Sequence, residues 1–132
     1  MNGKIGQSVA SVLILEDEKA LQRLYEMILS VHGHSCVCTD DGIETVAKYR
    51  DSLTAGNRFD VVILDLTIPE GTGGSEAVAL LQQVDPNVKA IVTSGDINDP
   101  RMENPTEHGF VLALPKPFGL VELSEAVEKA MG

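Results

Sequence analysis

The chain has 132 residues, 43% of them hydrophobic and 23% charged, the composition of one folded domain, which excludes disordered and collagen-like chains. Twenty acidic residues against ten basic ones give a formal charge of −10. That field repels phosphate backbones, so no direct nucleic-acid binding is expected, and it suits a cation or a basic partner surface. Residues 1–10 are polar with two glycines and are expected to form a flexible leader, ahead of one domain over 11–132. The first strand is expected at Val12-Leu13-Ile14-Leu15. A helix follows over 20–31, where Leu21, Leu24, Tyr25 and Ile28 recur at helical spacing and Gly33 supplies a stop. Residues 35–39 read as a weaker second strand, and after Asp41-Gly42 a helix carries Ile43, Val46, Ala47 and Arg50 on one stripe. The third strand is Val61-Val62-Ile63-Leu64. Ser75 is then a candidate N-cap for a helix with Val78, Leu81 and Val84 on one face, ended by Asp85-Pro86. The fourth and fifth strands are expected at 88–92 and 110–114. Between them Pro100 and Pro105 leave room for two helical turns at most. The final helix, 120–131, is expected to bury Leu120, Leu123, Val127 and Ala130.

Four of the five strand segments are continuous apolar runs, the pattern of strands buried on both faces in a parallel sheet. Five alternations of strand and helix argue a doubly wound α/β domain with right-handed crossovers. The last helix ends the chain, so no output domain is expected. The apolar runs are a few residues long, against ~20 for a membrane span, and residues 1–10 hold no apolar signal core. Cys36 and Cys38 lie too close on an extended segment to pair. These features suit a reducing cytoplasm without membrane attachment.

In such sheets ligands bind outside the carboxyl ends of the strands. The first strand is followed by Glu16, Asp17 and Glu18, the third by Asp65, the fourth by Thr93 and Ser94, and the fifth by Lys116. Carboxylates, a hydroxyl and an ammonium would therefore converge on one edge. Glu16, Asp17 and Asp65 in one crevice repel each other, and an oxygen-coordinated divalent cation, Mg²⁺ above all, removes that repulsion. An aspartate carboxylate can attack phosphorus to give an acyl phosphate. Phosphoryl transfer then needs little beyond alignment and charge neutralisation. A lone acidic residue after a strand is usually a helix cap or solvated, the reading given to Asp40 and Asp41. A full set, one in each strand-end slot, points to a site.

Leu15-Glu16-Asp17, the Leu-Asp-Leu-Thr-Ile-Pro run at 64–69 with Gly73, Thr93-Ser94-Gly95 and Lys116-Pro117-Phe118 together resemble the receiver domains of two-component response regulators, over about residues 10–131. The resemblance implies a flavodoxin-like (βα)5 domain with strand order 2-1-3-4-5. It also implies that Asp65 accepts a phosphoryl group from a sensor histidine kinase or a histidine phosphotransfer domain. Asp17 would bind Mg²⁺ directly, with Asp65 and the backbone carbonyl of Thr67, and Glu16 would act through water. Thr93 would supply the hydroxyl that moves to the phosphoryl group and Lys116 its cationic partner, after a cis Lys116–Pro117 bond. The output would be a switched surface for a downstream effector protein. Such a chain is not an enzyme in the ordinary sense, since it catalyses only its own phosphorylation and dephosphorylation.

Two features depart from the family pattern. Glu16 stands where aspartate is commoner, and Ala113 stands where many receivers carry a switching aromatic ring. Gly71, Gly73 and Gly74 follow an aspartate and lack the spacing of a phosphate-binding loop. His32, His34, Cys36 and Cys38 alternate, which makes a zinc site conceivable, but Gly33 should end the first helix and separate His32 from the strand. The cysteines read as small core residues. An aspartate-nucleophile phosphatase would need a carboxylate where Thr67 stands, and a nucleotide-binding module would need glycines where Glu16-Asp17-Glu18 stand. A phosphorylation-independent interaction module of the same fold is the alternative reading.

Overall fold

A computed structural model describes residues 9–68 and 72–132. The first eight residues of the expected leader, and Pro69, Glu70 and Gly71 of the glycine-rich stretch, lie outside the described residues. Five parallel strands, β1 (Ser11–Leu15), β2 (Ser35–Thr39), β3 (Val61–Asp65), β4 (Ala90–Ser94) and β5 (Leu112–Pro115), form one sheet in the order β2-β1-β3-β4-β5. The helices are α1 (Lys19–Val31), α2 (Gly42–Ala55), α3 (Gly74–Val84), α4 (Pro100–Glu103) and α5 (Leu120–Met131), with a 3₁₀ turn at Pro105–His108. This is the doubly wound, flavodoxin-like receiver architecture that the sequence leads one to expect.

Because side chains alternate along a strand, the apolar runs feed two cores. Ile14, Ile63 and Ile91 face Tyr25, Ile28 and Leu29 of α1 and Leu123, Val127 and Ala130 of α5. Leu13, Leu15, Val62, Leu64 and Val92 face Val46 and Tyr49 of α2, Val78 and Leu81 of α3, and Met102 of α4. The register aligns Ile14 with Ile63, Ile63 with Ile91, and Asp65 with Thr93. Two residues beyond each isoleucine, on the α1/α5 face, stand Glu16, Asp65 and Thr93. The sheet thus lines up the polar residues at its carboxyl edge.

Several sequence expectations need correction. Ala10, assigned to the leader, is buried, and its carbonyl accepts from the Ser35 N–H. β4 and β5 both begin two residues later than expected. The Asp85 carboxylate accepts from the Asn87 N–H at 3.0 Å and its carbonyl from Val88 at 3.1 Å, so residues 85–88 make a turn before β4. Phe110 closes the 3₁₀ turn by donating to the Pro105 carbonyl, and plugs the second core instead of pairing in a strand. The stripe expected on α2 is out of phase: Ile43 is 60% exposed, Ala47 and Arg50 are exposed, and Thr45, Val46, Tyr49 and Ser52 turn inward. The inward polar groups are all satisfied. Thr45 bonds the Asp41 carbonyl and the Thr39 hydroxyl, Tyr49 donates to Asp85 at 2.7 Å, and Ser52 donates to the Tyr49 carbonyl. Leu120 is 45% exposed because it opens α5, and the buried stripe starts one turn later at Leu123. The N-cap of α3 is Gly73, not Ser75. A Cβ on Gly74 would lie 2.8 Å from the Asp65 carbonyl oxygen, so the helix must begin on glycine to dock against the end of β3.

Candidate functional site

β1 and β3 deliver their carboxylates into the same groove. Glu16 and Asp65 are each 1% exposed, and Asp17 beside them is partly exposed. Carboxylate oxygens of Glu16, Asp17 and Asp65 lie within 4.8 Å of one another, the one such acidic, histidine or cysteine group of three or more among the described residues. Lys116 reaches in from the end of β5. Its Nζ donates to Asp65 Oδ2 at 2.8 Å and to Glu16 Oε1 at 3.0 Å. The Lys116–Pro117 peptide is cis. Asp65 Oδ1 accepts two further bonds, from the Thr67 N–H and the Thr67 hydroxyl, both at 2.8 Å.

These contacts decide the charges. Burial works against ionised Asp65, but Lys116 and the two Thr67 donors outweigh it and hold its carboxyl below the usual range. Burial pushes Glu16 up, and the Glu18 N–H and Lys116 offset this only in part. Burial lowers Lys116, yet its bonds to Asp65 and Glu16 carry it above its ordinary value. The groove therefore holds an ionised aspartate with one oxygen on an ammonium, and more carboxylate than a single lysine can neutralise. An all-oxygen donor set of that kind fits a hard divalent cation.

Thr93 is placed differently. It is fully buried and in register with Asp65, but its hydroxyl donates to the Leu114 carbonyl at 2.7 Å, toward β5. Ser94 is the last residue of β4, and its hydroxyl accepts from the Asp96 N–H.

A family model described as the response regulator receiver domain matches residues 12–128. The chain belongs to the response regulator receiver domain family. Among the similar proteins, the DNA-binding transcriptional regulator NtrC of Azospirillum brasilense is 27% identical over 94% of this chain and 24% of its own length. The transcriptional regulatory protein PmrA of Pectobacterium parmentieri is 34% identical over 88% of this chain and 50% of its own. The chain thus spans half or less of either relative. The receiver domain of sensor histidine kinase PA1611 from Pseudomonas aeruginosa PAO1, solved with a magnesium ion coordinated in its active-site cleft, superposes with a TM-score of 0.80 at 23% identity, covering 95% of this chain and 99% of that one.

In this receiver domain the histidine–cysteine run makes no metal site. His32 caps the C-terminus of α1, with Nδ1 beside the Ile28 carbonyl, while His34 Nδ1 accepts from the Ala10 N–H at 2.8 Å. Cys36 and Cys38 pack against the first core. Asp41 is the N-cap of α2, and Asp40 binds Lys19 and Gln22 in the open. Ala113 packs on the opposite face of the sheet from Thr93, against the second core. Two residues escaped the sequence reading. Gln22 donates through its amide to the Glu16 carbonyl and ties the end of β1 to Asp40. Tyr25 carries a fully buried hydroxyl on the same face of the sheet as Glu16, Asp65 and Thr93. Gln22 sits one position from the apolar stripe of α1, and Tyr25 reads as an ordinary core residue, so neither gives a sequence signal.

Proposed function

We propose that this receiver domain accepts a phosphoryl group on Asp65 from the phosphohistidine of a sensor histidine kinase or histidine phosphotransfer domain. The observation that carries the reading is the buried, ionised Asp65, with Lys116 on one oxygen and two other carboxylates within 4.8 Å. An Asp65 oxygen attacks phosphorus, the phosphorus–nitrogen bond breaks, and the imidazole leaves with a proton from solvent. Asp17, Asp65 and the Thr67 carbonyl, with Glu16 through water, would hold a Mg²⁺ that neutralises charge on the phosphoryl oxygens. Lys116 stays with the new acyl phosphate. Thr93 turns from the Leu114 carbonyl to donate to a phosphoryl oxygen, and this movement alters the surface an effector protein reads. The chain acts only on itself, as a signalling phosphoacceptor.

No helix among the described residues is long and apolar enough to cross a membrane, and the cysteines are free. Both facts support operation in the cytoplasm, where kinase and effector would be met. Incubation with acetyl phosphate and Mg²⁺, followed by mass mapping, should place one phosphoryl group on Asp65 and none on an Asp65→Asn variant. An unmodified wild type, or label retained by the variant, refutes the assignment.

A further inference from the structure

Tyr25 is 0% exposed, and its hydroxyl has no hydrogen-bond partner. Its ring lies 5.1 Å from that of Phe118, centroid to centroid, and is fixed between α1 and the loop before α5. A phenylalanine would pack there as well. A buried donor without an acceptor destabilises the resting state, so the hydroxyl calls for a reason. The Thr93 hydroxyl is near enough to draw the phenol's pKa down, though not in hydrogen-bond geometry, while the Glu16 and Asp65 carboxylates act the other way. Burial, and then those two carboxylates, raise the phenol well above the usual tyrosine value, so it remains a proton donor.

We infer that Tyr25 is a positioning residue: its phenol donates to the Thr93 hydroxyl oxygen once Thr93 has turned toward a phosphorylated Asp65, and holds it there. The inference rests on the phosphoacceptor reading of Asp65. Thr93 has a single proton, now given to the Leu114 carbonyl at 2.7 Å. Donating that proton to a phosphoryl oxygen deprives Leu114 of its partner. A bond from Tyr25 into the free lone pair of Thr93 offsets the loss and polarises the Thr93 donor. On the opposite face Ala113, packed against the second core, offers only a methyl group. The aromatic ring on the Thr93 face of the sheet comes from α1.

Tyr25→Phe removes one oxygen and keeps the ring. Beryllofluoride with Mg²⁺ serves as the phosphoryl probe, read by calorimetry, thermal melting and the NMR shift of the Thr93 methyl. Unliganded Tyr25→Phe should melt no lower than wild type, because it loses an unsatisfied group. It should bind beryllofluoride about fivefold more weakly, the equivalent of one net hydrogen bond, with a smaller Thr93 methyl shift. In a Thr93→Val background the same substitution should change affinity little, since the acceptor is gone. The inference is overturned if Tyr25→Phe matches wild type in affinity and methyl shift, or if the penalty persists in the Thr93→Val background. It is also overturned if melting falls alike in both ligation states, the mark of packing alone. A wild type that fails to bind beryllofluoride removes the phosphoacceptor reading itself, and this inference with it. A wild type that binds, matched by Tyr25→Phe, removes only this inference.

Discussion

One ammonium shared between two buried carboxylates makes Glu16 and Asp17 unequal partners in the site. Glu16 already spends one oxygen on Lys116 and the other on the Glu18 N–H, both at 3.0 Å. Asp17 is only partly buried and can meet a cation directly. Removing Glu16 should therefore act like removal of an outer partner, about tenfold in Mg²⁺ affinity, while Asp17→Ala should lose more. Acetyl phosphate labelling of Asp65 titrated with Mg²⁺ separates the two. Equal loss in both variants, or labelling in EDTA that matches labelling in Mg²⁺, contradicts the assignment of roles.

The site also depends on how whole elements meet it. α3 starts against the end of β3, and a Cβ on Gly74 would meet Asp65 backbone atoms at 2.8 and 3.1 Å and the Leu64 Cβ at 3.3 Å. None of these is the tip of a flexible side chain, so Gly74→Ala should destabilise the domain by ~1–3 kcal/mol, the usual cost of overpacking. Urea denaturation checks this, and Asp65 labelling should slow as its backbone shifts. An unchanged midpoint would show that α3 can move away freely. α4 lies at the other extreme. It is a single turn of four residues, capped by Asp99 and followed directly by a 3₁₀ turn, because Pro100 and Pro105 cannot join one longer helix. With few helical bonds to break, the segment 94–108 should open more easily than the rest of the domain. Beryllofluoride should change amide exchange most in that segment and little at 110–114, since Ala113 has no ring to turn. The largest change at 110–114 would place the switch in β5 instead.

Across the whole molecule, the sheet gathers negative charge from separate elements at one edge of a protein whose net charge is already −10. A cation bound only by the folded state stabilises it by mass action. At tenfold above its dissociation constant, Mg²⁺ should add about 1.4 kcal/mol and raise the melting temperature. EDTA should reverse the rise, and Asp17→Ala should largely abolish it. A melting temperature indifferent to Mg²⁺ in the wild type would mean that the carboxylates do not form a native-state cation site. The far side of the sheet should be untouched by these changes. There Tyr49 and Asp85 tie α2 to the end of α3 through a 2.7 Å bond, away from the groove.

The apolar runs at 12–15 and 61–64 determined by themselves that the sheet is parallel and doubly covered, because only strands buried on both faces carry no polar residue. The residues after those runs then had to gather at one sheet edge, where Glu16, Asp17, Asp65 and Lys116 meet, since strand direction leaves no other place for them. Side-chain phase on α2 was not legible. Ile43 is the more apolar residue, yet Thr45 and Ser52 go inside, because the polypeptide around them supplies acceptors that no local pattern announces. The start of α3 at Gly74 was hidden for a similar reason, as the carbonyl it must clear belongs to Asp65 on another element. Thr93 shows the same division. Its place beside Asp65 follows from strand register, but the Leu114 carbonyl that holds its hydroxyl comes from β5. Only the folded chain brings those atoms within hydrogen-bond reach, and a hydrogen bond depends on distance and direction, which residue order does not contain.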